Sequence, residues 1–146
     1  MKHLTLCFLL VLTLNACQQS DKPSIIGTWE LISATSTEKD STYSTFNPKV
    51  KMLKIINPTH FAFLSHDLQG GKDSTSATFT AGAGTYTLKD SLYTEHLDYF
   101  IDRQWENNSF EFVVKINNDT LVQKGVEKLE KLGINRIIIE TYKRVK

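Results

Sequence analysis

The feature that most constrains this chain is the alternation of Phe110, Phe112, Val114 and Ile116 with Glu111 and Lys115. A period of two puts the apolar set on one face of a strand and the charged set on the other. At the helical period of 3.6, the same residues would scatter around the axis. Comparable stretches follow one another along the chain, set apart by turn clusters. These are Asn57-Pro58, Gln69-Gly70-Gly71-Lys72, Lys89-Asp90-Ser91, Asn107-Asn108 and Asn117-Asn118-Asp119. Each is rich in residues that tolerate positive φ or fix a turn.

The intervening segments read as strands. Residues 27–34 place Trp29, Leu31 and Ser33 on one face. Residues 50–57 and 59–65 flank Asn57-Pro58, with Phe61 and Phe63 alternating with His60 and Ala62. Residues 77–81 carry Phe79, and Gly82 and Gly84 are expected to break that run. Residues 84–89 present Tyr86 and Leu88; 120–124 and 136–145 complete the set. The stretch 35–49 is polar and holds Pro48, so it reads as a long loop at the rim of the fold. Val126, Leu129 and Leu132 fall three apart and Gly133 follows, the signature of a two-turn helix with a glycine C-cap. Eight or nine short strands, with no βαβ alternation, predict an all-β antiparallel sandwich or up-and-down barrel with a short helix before the last strand.

Residues 91–102 alternate with two readings. Tyr93, Glu95, Leu97 and Tyr99 share one face; Leu92, Thr94, His96, Asp98 and Phe100 share the other. Two tyrosines and a leucine around Glu95 favour that face as the inner one. A buried carboxylate costs several kcal/mol unless paired, so Glu95 then needs a partner: Arg136, Arg144, a tyrosine hydroxyl or a ligand group. On the other reading, Glu95 is in water.

The N-terminus is built differently. Lys2 supplies a positive charge, and residues 4–14 are apolar apart from Thr5 and Thr13. That core is shorter than the ~20 residues of a membrane-spanning helix and suits a secretory signal. Leu14-Asn15-Ala16-Cys17 resembles the lipobox of bacterial lipoproteins, although Asn15 is unusual there. The resemblance implies a signal over 1–16 and a diacylglyceryl group on Cys17, giving a lipid anchor (palmitate or a similar acyl chain) in the bacterial cell envelope. Residues 17–25 read as lipidated cysteine and tether, and 26–146 as the folded domain. Gln18 stands where Asp favours inner-membrane retention in enteric lipoproteins, which points to the outer membrane.

Composition narrows the function. The 17 basic residues include Lys2, so the chain from Cys17 onward balances 16 basic against 16 acidic residues. No basic excess points to nucleic acid. Cys7 lies in the signal and Cys17 is acylated, which leaves no disulfide and no cysteine metal site. His60, His66 and His96 lack metal-ligand spacing, Gly82-Ala83-Gly84 lacks the lysine of a phosphate loop, and no nucleophile sits in a catalytic setting. No cofactor is implied, and binding is favoured over catalysis.

Gly27-Thr28-Trp29 resembles the G-x-W signature of the lipocalins and fatty-acid-binding proteins, the calycins. In that family a basic residue of the last strand packs across the tryptophan at the closed end of the barrel. Arg144 or Lys143 matches it, with Trp29 as a structural plug. The order of elements over 26–146 also resembles small lipocalin-like domains of bacterial lipoproteins. The lipocalin disulfide is missing, and Glu140-Thr141-Tyr142 puts an acid where fatty-acid-binding proteins use Arg. The resemblance implies a small apolar or amphipathic ligand held by Phe61, Phe63, Tyr86, Tyr93, Leu97, Phe110, Phe112 and Tyr142, with Glu95 as polar anchor. The rival is an envelope interaction module with a filled core, contacting its partner through an exposed Trp105. An interior space above ~300 Å³ favours the first.

Overall fold

A computed structural model describes residues 24–146. The signal, Cys17 and most of the tether expected from the sequence lie outside the described residues. Nine strands follow in order: β1 Gly27–Glu38, β2 Ser41–Ser44, β3 Val50–Ile56, β4 His60–Asp67, β5 Phe79–Lys89, β6 Leu92–Phe100, β7 Asn108–Asn117, β8 Thr120–Leu129 and β9 Ile134–Arg144. Every pairing is antiparallel, and β1 pairs with β9. Eight strands therefore close an up-and-down barrel, with β2 added beside the far end of β1. This architecture is consistent with a lipocalin-like fold. The hairpin turns use Lys39, Asp90 and Asn118 at φ between 51° and 56°. That left-handed conformation is one that Asn and Asp adopt readily.

Three expectations need correction. Residues 35–49 are not one long loop. Thr35–Glu38 extend β1, and Ser41–Ser44 return as β2. β-Branched threonines suit a strand, and apart from the buried Ser36 this hairpin lies partly or wholly in solvent, where its polar side chains stay hydrated. Residues 126–132 are not a helix. Val126–Leu129 continue β8, paired with Ile134–Ile137, and only Glu130–Leu132 form a 3₁₀ turn ending on Gly133 at φ 66°. The three-residue apolar spacing there is coincidental: Val126 faces out and Leu129 faces in. Gly82 and Gly84 do not break β5. Backbone of β6 at His96 passes where a Gly84 side chain would stand, and the Phe63 and Phe100 rings cover Gly82. Glycine is needed for that close approach.

Two β-bulges set the faces. In β1 the register shifts between Leu31 and Ser33. Trp29 and Leu31 point inward before it, Ala34 and Ser36 after it, and Ser33 is exposed. In β6, Asp98 is the extra residue opposite the Ala83–Gly84 step; its carboxylate accepts the Thr85 N–H at 3.1 Å. Tyr93, Glu95 and Leu97 point inward, as does Phe100 beyond the bulge, whereas Tyr99 is 70% exposed. The expected face of four is thus a face of three. Phe79 is also outside.

The closed end is sealed by one cluster. Trp29 is wholly buried, and its indole N–H donates to the Ile25 carbonyl at 2.8 Å. The Arg144 guanidinium lies over the Trp29 ring at 4.0 Å from the centroid. It donates to the carbonyls of Ile26 (2.8 Å) and Ser24 (2.6 Å). The two residues are register partners across the β1–β9 seam. Gly27 sits at φ 146°, and a side chain there would run into the same guanidinium. Glycine, tryptophan and arginine are therefore one packing unit. Arg144→Ala removes the cation–π contact and both hydrogen bonds. It is expected to cost about 2 kcal/mol, read as a lower urea midpoint at unchanged slope. Arg144→Lys, lacking the planar fork, should recover only part.

Candidate functional site

The interior divides into two zones. Towards the closed end Trp29, Ile56, Phe61, Tyr93 and Leu121 are packed solid. Above them a chamber of about 210 Å³ is lined by side chains from β3, β4, β6, β7, β8 and β9. It adjoins a vestibule of about 310 Å³ near Phe46 and Asn47, sharing Met52 and Glu140 as wall residues.

Of the expected ligand-lining residues, Phe63, Glu95, Leu97, Phe110, Phe112 and Tyr142 line the chamber. Phe61, Tyr93 and Tyr86 do not. The first two belong to the solid zone. Tyr86 packs on Tyr93 at 5.1 Å between centroids, and its hydroxyl donates to the Asn57 carbonyl at 2.7 Å. Trp105 is not an exposed contact. It sits in a 3₁₀ turn, Arg103–Trp105, capped by the Asp102 carboxylate, and turns its half-buried ring into the chamber wall against Phe100 and Phe110.

The chamber is also charged. Lys54, 2% exposed, meets Glu95 at 2.5 Å and donates to the Gln123 amide oxygen at 2.9 Å. Its ammonium lies 5.5–5.7 Å from the ring centroids of Phe61, Tyr93 and Tyr142. Glu95, 7% exposed, faces the interior, and its partner is none of those the sequence suggested. Arg136 pairs instead with Glu127, through Nε and Nη2 both at 2.6 Å, and its guanidinium lies 5.6 Å from the Trp105 centroid. Glu140 has no cationic partner within ion-pair distance among the described residues. It accepts from the Tyr142 hydroxyl at 2.6 Å and from the Gln123 amide at 3.5 Å.

Burial governs titration here. It pushes the Glu140 carboxyl up, against the opposing charge of Lys54. It pushes the Tyr142 hydroxyl up too, and the charge of Glu140 adds to that. Tyr93 is raised by burial first and by the charge of Glu95 second. Both tyrosines therefore stay protonated at neutral pH, and Tyr142 donates to Glu140.

Sequence reasoning missed Lys54, Gln123 and Glu127. Lys54 lies in Met52-Leu53-Lys54-Ile55-Ile56, where apolar residues occupy both phases and alternation gives no direction. No group of three metal-ligating side chains is placed to hold an ion among the described residues. A family model described as a domain of unknown function (DUF4488) matches residues 24–146. No curated protein matches the chain.

Two outcomes follow from these pairs. Lys54→Met leaves Glu95 buried and unpaired, which is expected to cost about 3–5 kcal/mol; Lys54→Met with Glu95→Leu should restore most of it. Chemical denaturation of the three variants checks this. Glu140 behaves oppositely to a salt-bridged acid. Its pKa is raised on folding, so its contribution is complete below the ordinary value of 4.5 and is lost as pH rises through the folded value. Glu140→Gln should flatten that decline in a stability-versus-pH series starting below pH 4.5.

Proposed function

The chain belongs to the DUF4488 family, and we propose that it is a lipid-anchored binding protein of the bacterial cell envelope that holds a small amphipathic molecule in its barrel. The chamber carries this reading. A barrel of this size can fill its interior with side chains, and one built only for stability gains little from buried ion pairs, which hydrophobic residues replace at no loss. This interior instead keeps an open space and surrounds it with aromatic rings, two ion pairs and an additional carboxylate. Few polar groups in an apolar concavity is the usual make-up of a ligand site. At about 210 Å³ the chamber alone falls below the ~300 Å³ of a drug-sized pocket. The reading is therefore a small ligand, or one that extends past Met52 and Glu140 into the vestibule.

The lipocalin-like reading is supported by the Trp29–Arg144 seal at the closed end. The interaction-module alternative loses its main support, because Trp105 is turned inward. A binding rather than catalytic role fits a chamber whose two cations are each already paired with a carboxylate. The anchor rests on Cys17 in its lipobox-like setting, with the barrel held at the membrane by the short tether.

Native mass spectrometry of the protein extracted from its own host in mild detergent tests both parts. The expected species starts at Cys17, carries acyl chains and holds a non-covalent small molecule released on activation. A chain bearing acyl groups but no bound molecule would sink the binding role, and an unacylated chain would sink the anchor.

A further inference from the structure

We propose that the chamber selects a small organic cation, an amine on an apolar body, whose ammonium pairs with Glu140. This rests on the reading of the barrel as a binding site and names the chemistry of its ligand. The argument begins with a charge count. The chamber wall holds two cations, Lys54 and Arg136, and three carboxylates, Glu95, Glu127 and Glu140. Each cation is already paired at 2.5–2.6 Å, Lys54 with Glu95 and Arg136 with Glu127. Glu140 has no cation within ion-pair distance: its hydrogen bonds come from the neutral donors of Tyr142 and Gln123, and Lys54 acts on it only through space.

The groups that face this space come from every neighbouring element: Lys54 on β3, Glu95 on β6, Gln123 and Glu127 on β8, Arg136 and Tyr142 on β9. An entering anion would set four negative charges against two positive ones in a water-poor space, where like charges are most costly. An entering cation makes three against three. The rest of the wall agrees, since Phe63, Phe100, Trp105 and Phe110 present aromatic rings and ring faces attract cations. Glu140 also lines both the chamber and the vestibule, so a ligand spanning the two passes beside it. Burial holds the Glu140 carboxyl above its ordinary range.

The test titrates the full-length chain in non-ionic detergent with three probes of one shape: phenethylamine, 2-phenylethanol and 3-phenylpropionate. Calorimetry at pH 7 reads affinity. The expected result is phenethylamine binding about tenfold or more tighter than either other probe. Glu140→Gln, shown to be folded by a cooperative thermal transition, should abolish that preference and leave the alcohol unaffected. If the alcohol or the carboxylate binds as tightly as the amine, the cation assignment is overturned while the chamber stands as a binding site. If Glu140→Gln leaves amine affinity unchanged, Glu140 is not the partner. If no probe binds, the inference falls. The binding role itself then falls only when host-extracted protein also carries no molecule.

Discussion

The structure depends on the seam where β1 meets β9. That pairing turns an open sheet into a cylinder and removes the row of unpaired backbone groups that an edge strand would expose. It also defines an inside. Once the inside exists, polar groups there lose water, and each must find a partner within the wall. The ion pairs of Lys54 and Arg136 are consequences of closure, as are the raised tyrosines. At the closed end, Trp29 and Arg144 clamp the seam from opposite strands, so the contact that seals the bottom also holds the cylinder shut.

Within that cylinder two kinds of packing coexist. The lower zone, around Trp29, Ile56, Phe61 and Leu121, is an ordinary apolar core and supplies stability. The upper zone trades apolar contact for charge and space. Dividing the tasks by height along the axis lets one short domain, without disulfide or metal among its described residues, hold together and still keep a polar cavity. The aromatic rings around Lys54 mark the border between the two zones.

Much of this was legible in the sequence, and the rest was hidden for identifiable reasons. Strand β7 was readable because only one of its phases is apolar. The pairing of Trp29 with a basic residue of the last strand was readable through the resemblance of Gly27-Thr28-Trp29 to the calycin signature, which implied Arg144 or Lys143 as its partner. Lys54 was hidden because both faces of β3 are apolar. Tyr99 was misplaced because a bulge cannot be seen in a pattern that continues evenly through it. The helix expected over 126–132 failed because three-residue spacing of apolar side chains also arises by chance in a strand. Tertiary pairing with β9 outweighed it. Phe61 and Tyr93 face inward but belong to the solid zone, a distinction of depth that alternation does not encode.

The bulges at Ile32 and Asp98 have a wider meaning. Each acts as a phase reset: residues on its two sides obey opposite rules about which positions look inward. Straightening either bulge while keeping every residue would exchange the inner and outer faces of everything beyond it, wetting Ala34 and Ser36 in one strand or Phe100 in the other. The lower half would be left untouched. The barrel can thus rewrite the lining of its mouth by gaining or losing a bulge while the seal at its base keeps its register.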